Sequence, residues 1–249
     1  MIHLQKASLS FGNTIAIDTC ELSFKKGEQV ALIGPSGSGK SSLLKVLATE
    51  YSLSSGSYAI HSKNTTNLST KELQSLRQRV AYIPQGLSLV PNLKVSQNIL
   101  LGKVGSRHLL GSLRDLLKPS QSNLQQVHQI LEDLGIAEKI FHRTDSLSGG
   151  QQQRVAIARA LYQEASIILA DEPVSAIDPS RAHALLSSLT QLSEKRNVTL
   201  ACSMHNLEYA KAFFPRLIGL REGKVVYDGK SSDFSETDFK DLYQIDDEQ

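Results

Sequence analysis

Residues 34–41 read GPSGSGKS, and no other stretch constrains the chain as strongly. The octapeptide satisfies G-x-x-x-x-G-K-[ST] in full. Glycines in such a loop let backbone N–H groups turn inward around phosphate oxygens, where a Cβ would obstruct the approach. The run EQVALI before Gly34 reads as a buried strand, and SSLLKVLATE after Lys40 reads as a helix. That helix aims the positive end of its dipole at the bound anion. The loop thus comprises Gly34, Pro35, Ser36, Gly37, Ser38, Gly39, Lys40 and Ser41. Lys40 is placed to reach the β and γ phosphates as a point charge. The Ser41 hydroxyl is placed to ligate Mg²⁺. The loop does not itself separate adenine from guanine. The guanine-reading pattern N-K-x-D is absent from the chain, which favours ATP.

A phosphate loop between strand and helix requires an α/β chain, and the remaining pattern agrees. VAYIPQ is a short strand that stops at Pro84. ASIILADEP and NVTLACSMH are continuous apolar strands, the signature of a parallel sheet covered on both faces. SRAHALLSSLTQLSEKR between them is a helix. RLIGLREGKVVYDG reads as two strands joined by a turn at Glu222-Gly223. MIHLQKASLSF alternates as a half-exposed strand. From about residue 86 to 160 the spacing becomes helical, as in NLQQVHQILEDLGI. The acidic, Ser-rich end suggests a short peripheral helix. The expected fold is an α/β nucleotide-binding core, residues 1–85 and 160–228, with a helical lobe at 86–159 and a tail at 229–249.

IILADE places Asp171 and Glu172 at the end of a buried strand. Ligands of parallel α/β sheets collect at that carboxyl edge. Asp171 is suited to hold Mg²⁺, directly or through water. Glu172 can orient or deprotonate an attacking water. Phosphoryl transfer asks mainly for positioning and charge neutralisation, so one carboxylate for each task is sufficient.

A second anion-seeking turn lies at SLSGGQQQR, residues 146–154. Ser148 and Gln151 have capping-box spacing, so Ser148 is the expected N-cap of the helix QQQRVAIARAL. A plain helix start has no use for Gly149 and Gly150, which weaken a helix. They make sense if something approaches the backbone closely.

LSGGQQQR resembles the signature motif of ATP-binding cassette (ABC) proteins, and the resemblance spans nearly the whole chain. Gly34–Ser41 corresponds to Walker A, Gln85 to the Q-loop glutamine and Leu147–Gln151 to the signature. Ile167–Glu172 corresponds to Walker B, Ser175–Asp178 to the D-loop and His205 to the switch histidine. The resemblance implies a P-loop NTPase cassette with a RecA-like core, an antiparallel N-terminal β-subdomain and a helical subdomain. It implies a head-to-tail pair, each ATP lying between one copy's Walker A and the other's signature. Ser148, Gly149, Gly150 and Gln151 would then meet the partner's nucleotide, the first three at its γ-phosphate. His205 would contact γ-phosphate and help hold the attacking water. Gln85 would sense Mg²⁺ and water and link the core to the helical lobe. Asp178 would cross the dimer interface. Phe11 occupies the place of the aromatic that stacks on adenine. Many members have Tyr there, and Phe keeps the π-face without the hydroxyl.

One cassette and no apolar run approaching the roughly 18 residues of a membrane span look like the separate ATPase subunit of a bacterial importer. The start of the chain lacks a signal-peptide run, so a membrane role is expected to come through partners. The implied partners are a second copy, two membrane permease subunits and a periplasmic or lipid-anchored binding protein, at the cytoplasmic face of the inner membrane. Finer resemblance, in LLGKVGSRHLLGSLRDLL and the ending DFKDLY, points to phosphonate-import ATP-binding subunits. MHNLEYA departs from that branch's His-Gln-Val-Asp-x-Ala. Relatives serve phosphite and other phosphorus oxyanions, so phosphonate, phosphite, phosphate or another small solute such as an amino acid remain alternatives. A soluble, non-transport ABC ATPase is the other reading. Repair types carry long coiled coils between Walker A and signature, and translation types carry two cassettes; neither feature occurs. Glu172 and His205 together speak against a regulator without turnover. The net charge of +2 gives no argument for nucleic acid. Lys103, Arg107, Arg114 and Lys118 form a basic stretch, either a solvated face or a contact with a membrane subunit or lipid headgroups. Cys20 and Cys202 lack metal or redox spacing and read as buried, reduced thiols.

Overall fold

The computed structural model describes residues 1–106, 114–175 and 177–244. A six-stranded sheet carries the loop and the acidic pair. Its strands are β3 (Gln29–Ile33), β6 (Val80–Ile83), β7 (Ile167–Asp171), β8 (Thr199–Ser203), β9 (Arg216–Arg221) and β10 (Lys224–Lys230). Their order is β10-β9-β3-β8-β7-β6. All pairs are parallel except the β9–β10 hairpin at one edge. Glu222 and Gly223 both have positive φ, 51° and 78°, which a two-residue hairpin turn requires. β3, β7 and β8 are buried almost throughout, as expected for strands covered on both faces.

A second, four-stranded antiparallel sheet comprises β1 (Ile2–Phe11), β2 (Thr14–Phe24), β4 (Ser55–Ile60) and β5 (Lys63–Asn64), in the order β2-β1-β4-β5. Only β1 is readable from alternation. β2 buries Ile17, Cys20, Leu22 and Phe24, so its alternation changes phase between Ile17 and Cys20. Register shifts against β1 and a positive φ of 48° at Thr19 mark the irregularity. A bulge of this kind breaks the two-residue period on which strand recognition depends.

Among the described residues, the helices include α1 (Lys40–Leu47), α2 (Thr70–Arg77), α3 (Val95–Leu100), α4 (Gln121–Asp133), α5 (Gly149–Tyr162), α6 (Pro179–Lys195), α7 (Leu207–Phe213) and α8 (Glu236–Tyr243). The two faces of the parallel sheet feed two cores. Ala31, Ile33, Ile168, Ala170, Leu200 and Cys202 face the core that includes α3, α4, α5 and α6. Val30, Leu32, Ile167, Leu169 and Ala201 face the core built with α1 and the antiparallel sheet. The helices between Val95 and Tyr162 therefore share one continuous core with the sheet. Helix α8 is the peripheral helix expected at the end of the chain. Leu242 buries fully against Gly219, and the Arg221 guanidinium donates to the Asp241 carbonyl.

One buried amide ties the helical region together. Asn98, fully buried, accepts from the Val90 N–H at 2.8 Å and donates to the Val90 carbonyl at 2.9 Å and the Thr144 hydroxyl at 2.8 Å. Asn98→Leu takes the acceptor from the Val90 N–H, while the Val90 carbonyl keeps the Leu93 N–H at 3.2 Å and the Thr144 hydroxyl keeps the Leu93 carbonyl at 2.9 Å. An unpaired buried polar group costs about 1–3 kcal/mol. The expected loss is about 1–3 kcal/mol, read as a lower urea midpoint at unchanged slope. Cys20 and Cys202 are both buried. Burial raises the Cys20 thiol to about 12 and pushes Cys202 up as well, so neither is a thiolate at neutral pH. Among the described residues no helix is long and apolar enough to cross a membrane.

Candidate active site

Strand β3 ends at Ile33 and the chain turns through three positive-φ glycines, Gly34, Gly37 and Gly39. A Cβ at Gly34 would lie 2.0 Å from the Leu220 carbonyl oxygen, and one at Gly39 2.5 Å from that of Ala16. These two are glycine because the loop packs against neighbouring strands. Gly37 is different, since a Cβ there meets nothing within 4 Å. Its φ of 79° still selects glycine. Gly39 leads into α1 without a side-chain cap, so no side chain competes for the first helical N–H groups. Lys40 is buried, and its ammonium donates to the Gly34 and Pro35 carbonyls at 2.8 Å each, with the Ser38 hydroxyl at 3.5 Å. Burial lowers its pKa, opposed by the charges of Glu172 and Asp171. The loop, from Ser36 to Ser42, lines a cleft of about 250 Å³ with Thr14, Ile15, Ala16, Glu172 and His205.

The parallel register sets Asp171 beside Ser203. The Ser203 hydroxyl donates to Asp171 Oδ1 at 2.6 Å, and Ser41 donates to the same oxygen at 3.0 Å. The Tyr82 hydroxyl reaches Oδ2 at 3.4 Å. Burial first, then the Asp171 charge, drive the Tyr82 pKa up, so this phenol stays a donor. Adjacent oxygens in an octahedron with bonds of roughly 2.0–2.1 Å stand about 2.9 Å apart. The 3.0 Å between Ser41 Oγ and Asp171 Oδ1 therefore suits neighbouring ligands of one Mg²⁺.

One residue on, Glu172 leaves the strand with φ 50°. Its Oε2 accepts from Gln85 Nε2 at 2.7 Å, and its Oε1 lies 2.5 Å from His205 Nε2. Gln85 follows β6, Glu172 follows β7 and His205 follows β8. Three neighbouring strand ends thus bring the trio together at the carboxyl edge. A carboxylate held between an amide and an imidazole at the mouth of a phosphate cleft can orient water and accept its proton.

Ser148 caps α5, and the capping box is complete. Its Oγ accepts the Gln151 N–H at 3.4 Å, and Gln151 Oε1 accepts the Ser148 N–H at 3.1 Å. A Cβ at Gly149 would meet nothing within 4 Å, while one at Gly150 would lie 3.3 Å from an Ile177 methyl. Packing within the chain thus does not explain Gly149. Ser148, Gly150 and Gln151 line a separate pocket of about 270 Å³ with Arg154, Ile177 and Arg181. It shares no lining residue with the Gly34–Ser41 cleft. Asp178 is exposed and caps α6, accepting the Ser180 hydroxyl at 2.7 Å and the Arg181 N–H at 3.1 Å. The Ser180 hydrogen bond, foremost, holds its carboxyl below the usual range. Phe11 is 47% exposed, edge-on to Tyr51 at 5.1 Å, and is not among the cleft residues; Ile15 is.

Sequence reasoning missed Ser203, Tyr82 and Arg159. The Arg159 guanidinium donates to the Leu87 and Ser88 carbonyls at 2.7 and 2.6 Å, holding two left-handed residues just after Gln85. An arginine on the inner side of a helical run was the available signal. The basic stretch is not uniformly solvated. Lys103 pairs with Glu164 at 2.8 Å and lies 4.6 Å from the Tyr162 ring centroid, whereas Arg114 is 82% exposed. Arg107, and Ala176 of the D-loop, lie outside the described residues.

Comparison with known proteins gives these distances a context. The family model described as ABC transporter matches residues 17–175. The phosphonates import ATP-binding protein PhnC of Pseudomonas putida is 45% identical over 227 residues, covering 91% of this chain and 84% of that protein. The protein of the same name from Lactobacillus acidophilus is 38% identical, covering 98% and 94%. Among solved structures, a dimeric bacterial ABC transporter cassette superposes with a TM-score of 0.81 at 30% identity, covering 93% of this chain and 99% of that one. A dimeric cassette in a post-hydrolysis state, bound to ADP and phosphate, gives 0.79 at 29% identity, with the same coverage.

Proposed function

Because the chain belongs to the ABC transporter family of ATP-binding cassettes, we propose that it hydrolyses ATP to energise import of a phosphonate or a related phosphorus oxyanion such as phosphite. The observation that supports hydrolysis best is the Glu172 carboxylate, held by Gln85 and His205 at the mouth of the Gly34–Ser41 cleft. In this reading the loop amides and Lys40 bind the phosphates, and Lys40 exchanges a loop carbonyl for a phosphate oxygen. Phe11 offers its exposed ring face to the adenine. Ser41 and Asp171 would hold Mg²⁺, which would supply neutralisation of the phosphate charge. Glu172 orients the attacking water and takes its proton. His205 contacts the γ-phosphate, and Gln85 senses the loaded site and passes its state to the helical region.

The separate pocket at Ser148 supports a composite site. Two copies pair head to tail, and Ser148, Gly149, Gly150 and Gln151 of each approach the nucleotide of the other. Asp178 lies at that interface. The pair works with two integral membrane permease subunits and a periplasmic or lipid-anchored binding protein, as a peripheral subunit at the cytoplasmic face of the bacterial inner membrane. The solute rests on kinship with the relatives named for phosphonate import, because a cassette energises transport without touching the cargo. Uptake by the complex reconstituted in vesicles tests it. ATP-dependent accumulation of a labelled alkylphosphonate should be suppressed by excess phosphonate or phosphite and resist excess phosphate or amino acid. Accumulation of an amino acid with no competition from phosphonate would overturn the solute assignment.

A further inference from the structure

We propose that Ser203 is a positioning residue that locks the metal-holding carboxylate and the water-orienting carboxylate into one geometry. This rests on the roles proposed above for Asp171 and Glu172.

Ser203 ends β8 and is fully buried. Its hydroxyl makes two hydrogen bonds of opposite sense. It donates to Asp171 Oδ1 at 2.6 Å and accepts the Glu172 N–H at 2.8 Å. A backbone N–H only donates, so a hydroxyl lone pair takes the Glu172 amide and the single hydroxyl proton goes to Asp171. The orientation of the bridge is thereby fixed.

The bridge stands where the backbone ladder stops. The β7–β8 register ends at the pair Asp171 and Ser203, so the Glu172 N–H has left the sheet. Glu172 also adopts φ 50°, a conformation that a residue with a side chain keeps only when its surroundings impose it. The Ser203 side chain supplies the acceptor that the ladder no longer provides. This left-handed turn sends the Glu172 carboxylate to Gln85 and His205, while Asp171 faces Ser41. The two hydroxyls on Asp171 Oδ1 are not equivalent. Ser41 lines the cleft and would lend an oxygen lone pair to a bound cation while keeping its proton. Ser203 is fully buried and is not among the cleft residues, so it orients Oδ1 from behind, with or without a cation. Partners behind a metal ligand typically change metal affinity or activity by about 10–100-fold when removed.

The test uses Ser203→Ala and Ser203→Cys in the intact protein, with Glu172→Gln as a reference. Cysteine fills the same space with a poor hydrogen-bonding group, so it separates packing from positioning, and it carries the test if the alanine variant fails to fold. Steady-state hydrolysis is measured against Mg²⁺ concentration, and affinity for a fluorescent ATP analogue is measured with Mg²⁺ and with EDTA. Both variants should lose about 10–100-fold in kcat and need more Mg²⁺ for half-maximal rate. The gain in analogue affinity on adding Mg²⁺ should shrink, while affinity in EDTA stays within about twofold. Ser203→Cys hydrolysing at the wild-type rate with wild-type Mg²⁺ dependence overturns the proposal. So does a fall in EDTA affinity matching the fall in rate, because the defect then lies in the phosphate loop. If Glu172→Gln retains hydrolysis, the underlying reading fails. If it abolishes hydrolysis while both Ser203 variants match wild type, only the role of Ser203 fails.

Discussion

Glu172→Gln is expected to abolish steady-state ATP hydrolysis, with a fall of about 10²–10⁴-fold, while the protein accumulates as an ATP-bound dimer. The size follows from what the substitution keeps. Glutamine matches glutamate in shape, and its backbone still donates to Ser203. Its carbonyl oxygen can accept from Gln85 Nε2 in place of Oε2, and its NH₂ can donate to His205 if the ring presents an unprotonated nitrogen. The site therefore keeps its geometry and loses a negative charge and a proton acceptor. In the proposed mechanism nucleotide binding depends on Gly34–Ser41 and Asp171, which the change leaves in place. Binding without turnover should then hold the proposed composite site closed. Phosphate release should reach background, and light scattering at saturating Mg-ATP should report twice the monomer mass. A monomer under those conditions would count heavily against the composite site, and residual hydrolysis near the wild-type rate would remove Glu172 from the chemistry.

How much of this site was legible in the sequence depends on how local each signal is. Gly34–Ser41 is a contiguous motif whose φ requirements are written in its glycines, and the loop takes the expected conformation. The Ser148 cap is equally local, since serine and glutamine three apart satisfy one another at a helix start. The hairpin at Glu222-Gly223 is legible for the same reason. Ser203 and Tyr82 were silent because their contacts with Asp171 arise from strand pairing across 32 and 89 positions of sequence. In NVTLACSMH a serine looks like a small residue in a buried strand, and only the parallel register sets it beside Asp171. The antiparallel sheet was expected from the family resemblance and not from the pattern, because the irregularity near Thr19 interrupts the alternation of β2. Non-local pairing and bulges are what periodicity cannot carry. The same limit explains Arg159, whose carbonyl partners lie more than 70 positions away.

Ser148→Arg should block turnover while leaving nucleotide binding to the isolated monomer intact, and the geometry of the two pockets is the reason. Ser148 lines the pocket with Arg154 and Arg181, and the phosphate cleft is lined by other residues altogether. An arginine at this N-cap loses the hydroxyl that accepts the Gln151 N–H, which costs about 1 kcal/mol of local stability. That is too little to unfold a helix with Val155, Ala156, Ile157 and Ala158 in the core. The larger effect is steric and electrostatic. The space beside Gly149 is open, and a long cation placed there obstructs the approach of a second subunit's nucleotide. Loss of one positioned donor to a developing charge already costs about 10²–10³-fold in rate, and exclusion of the partner removes the whole set. Hydrolysis should fall by at least that factor. ATP affinity of the monomer, measured at protein concentrations below dimerisation, should stay within about twofold, since 1.4 kcal/mol corresponds to a full tenfold. If monomer affinity collapsed with the rate, the Ser148 turn would be serving the nucleotide of its own chain. Glu172→Gln combined with Ser148→Arg sharpens the comparison: the first change alone should trap the dimer, and the second should release it to monomer with ATP still bound.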